Sequence, residues 1–570
     1  MKKYLSYILL ILLGYLLYVN EDSKYIVAGV GIFIIGMHFM EDGFKLFSGG
    51  ILEKLISKST NTVFKSVGLG ITATAILQSS SLIAIIVISF LSAKIISLAG
   101  ALGVVFGSAV GTTATTWIVS TLGVKINIAA FSLPMIIFGV IFRFYKQKNL
   151  QGIGNILLGL GFVFLGIGYM KDGFEDLKSG IDLAQFSVDG YLGIILYAFI
   201  GAIATVIIQS SSATLALTIT ALATGQIIYL NAMAIAVGAN IGTATTAAMG
   251  AMVSNANSKR MAVGLFIFKG VTAVITLSFL YFIVDFVDYL SDAFGIAPDD
   301  WAMKLAVFHT FFNLAGLIIF SFFIPRLVIF LKKLFVEDVE SYIQKPKYLD
   351  LAVAAVPSVA LEATKKETIH LYDNASEVLS HAIMLHRHRY LGKSDISSVV
   401  KESTDIIDYS TIFINGLEAD KKNYLYELRT ACRDIAEAVK NTKELQQNIS
   451  RYLLSNNDYI KNEYNYIREA IAKTINTINE IKTSKDELDV LSKAELLKEY
   501  LKSLDVIATG RIDILIREKR IDKKMATTLL NDSSHAYNVI NKLINVAKIL
   551  WIEDFTIKKL GEDYEAGKNL

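Results

Sequence analysis

GITATAILQSSS occupies Gly70 to Ser81, and GAIATVIIQSSS occupies Gly201 to Ser212, 131 residues further along the chain. The likeness continues downstream, where GSAVGTTATT from Gly107 answers GANIGTATTA from Gly238. Aligned without a gap, residues 70–116 and 201–247 agree at 16 of 47 positions. Gly107, Gly111 and Thr112 thereby pair with Gly238, Gly242 and Thr243. Upstream, Met40, Asp42, Gly43 and Phe44 echo Met170, Asp172, Gly173 and Phe174, one residue out of register. Chance can give one QSSS; two with matched surroundings mark an internal repeat.

The repeat lies in the apolar part of a divided chain. Of 570 residues, 53% are hydrophobic and 19% charged, against roughly 25% charged in soluble domains. Residues 1–340 hold 21 Lys/Arg and 18 Asp/Glu, leaving 34 and 34 for residues 341–570. The first part suits lipid and the second water. This excludes a single soluble enzyme, a secreted disulfide scaffold and a disordered chain. Cys432, alone, forms no intrachain bridge. A net charge of +3 gives no electrostatic support for nucleic acid as a partner.

Residues 4–19 follow Lys2 and Lys3, with no small-x-small cleavage site before Asn20. They read as an uncleaved first span. Apolar segments follow near 25–40, 66–93, 95–121, 126–142, 151–170, 191–224, 227–255, 261–287 and 303–331. Basic loops contain Lys45, Lys54, Lys58 and Lys65, then Arg143, Lys146 and Lys148, then Lys259 and Arg260, then Lys332 and Lys333. Acidic stretches contain Glu21 and Asp22, Asp172 to Asp189, and Asp285 to Asp300. Placing the basic loops in the cytoplasm works only if 66–93 and 191–224 each enter and leave on one side. The expected fold is all-α: a polytopic membrane protein with about eight spans and two re-entrant hairpins, both termini inside. The Met-x-Asp-Gly-Phe loop then lies inside in one copy and outside in the other. The repeats, about 25–145 and 151–335, are therefore expected to be inverted, as in many secondary transporters.

Such folds place substrate and ions at the repeat interface, on broken helices. A break after Leu77 or Ile208 frees backbone N–H groups at a helix N-terminus, which favours anions. Ser and Thr hydroxyls donate to oxyanions and also ligate sodium through a lone pair. The candidate site is therefore Gln78, Ser79, Ser80 and Ser81 with Gln209, Ser210, Ser211 and Ser212. Asn240, Thr112 and Thr243 join them from the GxxxGT segments, Asn240 because its repeat counterpart is apolar Ala109. The competing reading of these Ser and Thr residues is helix–helix hydrogen bonding, and that of GxxxG is close helix contact. No Lys or Arg lies within these motifs, so bound cations are expected to offset the anion's charge. Lys269 and Lys304 read as snorkelling or interfacial residues, and His309 sits deeper in its span.

After Lys333 the pattern changes. Residues 341–357 form a linker marked by Pro346 and Pro357. Helices are expected near 358–390, 396–417, 420–454, 457–482, 485–518 and 522–553, as a soluble cytoplasmic bundle domain over 358–570. In 457–482, Tyr464, Ile467, Ile471, Ile475 and Ile478 recur at helical spacing.

Paired QSSS motifs, each followed by a Gly-Thr segment, resemble the sodium/phosphate cotransporter type II family over roughly residues 25–335. The resemblance implies that the QSSS motifs hold phosphate and sodium, with sodium as the coupling ion and no organic cofactor or resident metal. It also implies a multi-pass protein of the bacterial cytoplasmic membrane, with lipid as its surroundings. Ala109 and Thr116 depart from the family pattern, at positions that bear on the sodium count. Residues 350–570 resemble the PhoU-like helical domain attached to bacterial members, which implies regulation by a cytoplasmic ligand or protein. Glu402, Asp405 and Asp408, and Asp532 with His535, read as a solvated acidic face. Two further readings stand beside sodium-coupled uptake: a phosphate exporter relieving excess, and a phosphate receptor signalling through the helical domain.

Overall fold

The computed structural model describes residues 14, 21–48, 55–56, 60–123, 129–180, 188, 190–251, 255–336, 346–383, 393–503, 506–507 and 509–552. Among these, all regular structure is helical. The chain forms two compact units, Met1–Glu337 with Asp350–Ala355, and Asp338–Leu349 with Val356–Leu570.

The first unit runs α1 (Glu21–Ser48), α2 (Val63–Leu77), α3 (Ser80–Ser92), α4 (Leu98–Gly111), α5 (Thr113–Ile118), α6 (Ala129–Arg143) and α7 (Lys148–Gly180). It continues with α8 (Gly190–Ile208), α9 (Ser211–Ala223), α10 (Tyr229–Ala251), α11 (Ala256–Ser278), α12 (Leu280–Ala293), α13 (Trp301–Leu334) and the short α14 (Leu351–Ala354). Among the described residues, six helical stretches are long and apolar enough to cross a membrane: α1, α4 with α5, α7, α8, α11 and α13. The expected span 4–19 lies outside the described residues, apart from Gly14. The single span expected over 261–287 is two helices. The hydrogen bonds of α11 end at Phe279, and Asp285, Asp288 and Asp292 then make α12 amphipathic.

Both QSSS motifs break a helix in the same way. Gln78 closes α2 at φ 57°, its N–H bonded to the Thr74 carbonyl, and extended Ser79 opens α3 by accepting the Leu82 N–H at 3.2 Å. Gln209 closes α8 at φ 60° on Thr205, and Ser210 opens α9 on the Ala213 N–H at 3.2 Å. A serine N-cap after a left-handed residue satisfies one helix end and starts the next.

Helix contacts repeat as faithfully. A Cβ on Gly70 would stand 2.0 Å from the Val104 carbonyl oxygen, and one on Gly107 2.3 Å from that of Val67. The counterparts 131 residues on are Gly201 at 2.2 Å from Ile235 and Gly238 at 1.8 Å from Ala198. The GxxxG glycines therefore seat α2 on α4 and α8 on α10, backbone against backbone. α10 runs unbroken through Gly242 and Thr243, whereas Thr112 separates α4 from α5.

α1 and α7 pack antiparallel along glycines spaced by seven. Gly29 meets Gly166, Gly36 meets Gly159 and Gly43 meets Gly152. A shift of 130 residues turns the pair Gly29–Gly166 into Gly159–Gly36, so the contact is reciprocal, as across a two-fold axis. The two Met-x-Asp-Gly-Phe motifs stand at opposite ends of this pair.

After α13 the chain returns to the first unit. The Asp350 carboxylate accepts the Asn255 N–H at 2.8 Å, and Ser89 of α3 donates to the Ala352 carbonyl at 2.6 Å.

The second unit comprises α15 (Pro357–Ala382), α16 (Lys393–Phe413), α17 (Ala419–Leu453), α18 (Asp458–Thr483), α19 (Glu487–Ser503), α20 (Arg511–Arg517) and α21 (Lys523–Ala547). α17 packs on α15, α16, α18 and α21 around buried Leu425, Ile435 and Val439. The helix expected over 485–518 is interrupted, and Gly510 at φ 68° precedes α20. Residues 384–390 of the first expected helix lie outside the described residues.

Candidate functional site

The N-terminal turn of α3 opens on a cavity of about 60 Å³, lined by Ser80, Ser81, Ser108, Thr243 and Lys269 among apolar neighbours from α3, α4 and α11. That is several times the roughly 10–15 Å³ a single water needs. The Ser79 hydroxyl takes the Leu82 N–H. The Ser80 and Ser81 N–H groups have no acceptor within α3, because the first turn of any helix lacks one. The Ser108 hydroxyl donates to the Val105 carbonyl at 2.7 Å and that of Thr243 to Asn240, so the donors that border this volume are the Ser80 and Ser81 hydroxyls, the first-turn amides and the positive end of a helix dipole.

Lys269 corrects the expectation of a snorkelling or interfacial residue. It stands about 20 Å along α11 from that helix's start, is 6% exposed, and donates from Nζ to Thr243 Oγ1. The Thr243 hydroxyl donates in turn to the Asn240 carbonyl at 2.7 Å. Lys304 is also buried, its Nζ 2.9 Å from Asp288 Oδ1. Both lie on helices whose neighbours cover them, which an apolar flank in the sequence does not reveal.

The remaining candidates divide into supporting and separate positions. Buried Gln78 accepts the Thr115 hydroxyl at 2.6 Å on Oε1 and donates from Nε2 to Ala75. Asn240 donates to Asn313 Oδ1 at 3.2 Å, and Thr116 pairs with His309 Nδ1 at 2.7 Å. α13 thus supplies two buried polar residues to the helices that carry the motifs. Thr112 turns inward on the Ala109 carbonyl at 2.7 Å and does not line the cavity. The second break also lies apart from this cavity: Gln209 is exposed, Ser210 and Ser211 are half-buried, and Ser212 is buried. Asn313, a lone Asn in an apolar helix, carries no periodic signal, whereas Thr115 lies within GSAVGTTATT and repeats as Thr246, the signal by which it could be found.

In the second unit, His370 Nδ1 lies 3.1 Å from Glu367 and 3.2 Å from Glu402. These three side chains could together hold a metal ion. Other partners already serve them: Glu367 accepts the Lys347 and Tyr348 N–H groups, and Glu402 accepts from Asn374. Hydrogen bonds to the two carboxylates hold the imidazolium up to about 9. Asp532 accepts from Tyr464 and Asn448, and His535 pairs with Asn441.

Residues 32–172 match a family model described as Na+/Pi-cotransporter. The chain is 30% identical over 291 residues to the uncharacterized protein YqeW of Bacillus subtilis (strain 168), covering 50% of this chain and 90% of that one. The chain belongs to the Na+/Pi-cotransporter family, a family of transporters and not a class of enzyme. With six helical stretches long and apolar enough to cross a membrane among its described residues, it is a multi-pass membrane protein. It is also 28% identical over 364 residues to proteins of Escherichia coli (strain K12) and Shigella flexneri, each named "Putative inorganic phosphate export protein YjbB". That alignment covers 62% of this chain and 64% of each relative, so the chain spans just under two thirds of their length. No solved structure matches.

Proposed function

We propose that the first unit carries inorganic phosphate across the cytoplasmic membrane by alternating access, coupled to sodium, with the anion bound where α3 begins. The observation that carries this reading is the convergence of Ser80, Ser81, Ser108 and Thr243 on one small cavity at a helix N-terminus. Hydroxyl and amide donors without a carboxylate among the lining residues suit a tetrahedral oxyanion. Inverted repeats supply the alternation. The reciprocal glycine contacts of α1 and α7, and the identical breaks at Gln78 and Gln209, support that architecture. The second unit acts as a cytoplasmic, PhoU-like regulatory domain. A second reading, net export, draws on the names of the Escherichia coli and Shigella flexneri relatives.

Radiolabelled phosphate flux in proteoliposomes tests the reading, with sodium gradients set against choline. Flux that follows the sodium gradient and disappears when Ser80 and Ser211 are both changed to Ala supports it. Flux indifferent to sodium removes the coupling. Phosphate binding without any flux favours a receptor.

A further inference from the structure

Among the described residues of the first unit, three cationic side chains are buried, Arg260, Lys269 and Lys304. Two have strong acceptors. Arg260 donates to the Phe335 carbonyl and to Asn257 Oδ1, and Lys304 is paired with Asp288. Lys269 differs. Among the described residues no carboxylate lies within 4.0 Å of it, and its Nζ donates to Thr243, a neutral hydroxyl. A buried ammonium without a counter-charge is costly unless something else supplies that charge. This one borders the cavity that also presents Ser80, Ser81 and Ser108.

We propose that Lys269 is the resident counter-cation of the transported phosphate, doing within the protein what a further sodium ion would otherwise do. With phosphate bound, its Nζ donates to a phosphate oxygen while the Ser80 and Ser81 hydroxyls of α3 donate to the others. The inference rests on the phosphate reading above and refines it: the anion enters with fewer sodium ions than its charge alone demands. The charge belongs to one copy of the repeat. Carried forward, the 131-residue offset places Phe138, an exposed apolar residue, opposite Lys269. The two halves are therefore electrically unlike at the cavity.

The test is equilibrium binding of inorganic phosphate to the purified full chain, in choline and across a sodium series, for the wild type, Lys269→Gln and Lys269→Arg. The wild type should bind phosphate in choline. Lys269→Gln should lose roughly 10- to 100-fold in affinity there, the range of one charge-assisted hydrogen bond, and regain part of it as sodium rises. Lys269→Arg should stay close to the wild type. Thermal unfolding without phosphate checks that the variants fold. Equal affinity of Lys269→Gln and the wild type in choline overturns the proposal, as does a wild type that binds only with sodium. The second result needs no variant at all. A wild type that neither binds nor moves phosphate in any cation overturns the phosphate reading itself, and this inference with it.

Discussion

Gly238→Ala should loosen α8 from α10 and lower the stability of the first unit. The added Cβ would sit 1.8 Å from the Ala198 carbonyl oxygen and 2.6 Å from its carbon. Real Cβ atoms essentially never come within 3.0 Å of a neighbour, so the helices must part by more than 1 Å, because a carbonyl cannot rotate aside as a side chain can. Overpacking typically costs about 1–3 kcal/mol. A rigid backbone obstacle puts this site at the upper end, about 3 kcal/mol, less a few tenths regained from alanine's better helix propensity. The same displacement carries Asn240 and Thr243 away from Asn313 and Lys269, so phosphate affinity should fall with stability. Thermal unfolding in detergent reads the first effect and phosphate binding the second. Gly270→Ala is the control, since nothing lies within 4 Å of its added carbon, and it should be neutral or slightly stabilising. Equal midpoints for Gly238→Ala and Gly270→Ala would refute the close-contact reasoning and leave GxxxG unexplained.

Three further outcomes are expected. Ser80→Ala should cut phosphate flux roughly tenfold, and more than Ser211→Ala, because Ser80 lines the cavity and Ser211 does not; equal losses would place the second break in the site as well. The His370 imidazole is held up to about 9 against an ordinary 6.5, so its contribution to stability is complete below pH 6.5 and is lost as pH rises through 9. The protection of α15 amides, after correction for intrinsic exchange, should fall across that window, and His370→Gln should abolish that fall. Finally, a chain ending at residue 355 should keep basal flux with the wild-type unfolding midpoint. One ending at 345 should unfold earlier, having lost Asp350 on Asn255 and Ala352 on Ser89.

The features legible in the sequence are those with a local cause. The serine N-cap is a property of QSSS itself and marks helix starts after Leu77 and Ile208, whereas the left-handed turns at Gln78 and Gln209 are imposed by the fold, since Gln does not favour that region. The gapless offset reveals the repeat, and helical spacing of Ile467, Ile471, Ile475 and Ile478 gives α18. What stayed hidden depends on neighbours distant in sequence. Lys269 resembles any lysine in an apolar span until α3, α4 and α10 close round it. Asn313 gains meaning only from Asn240, 73 residues away. The end of α11 at Phe279 was masked by continuous hydrophobicity, since a change of helix axis need not change composition.

The return of Asp350–Ala355 to the first unit gives the C-terminal end of α3 a partner from far along the chain. Here the chain is stitched down at Ser89 and Asn255, and α15 starts at Pro357, two residues beyond that stitch. α14 rests on α3, the helix whose other end carries Ser80 and Ser81, so this segment and the cavity share one helix of the first unit.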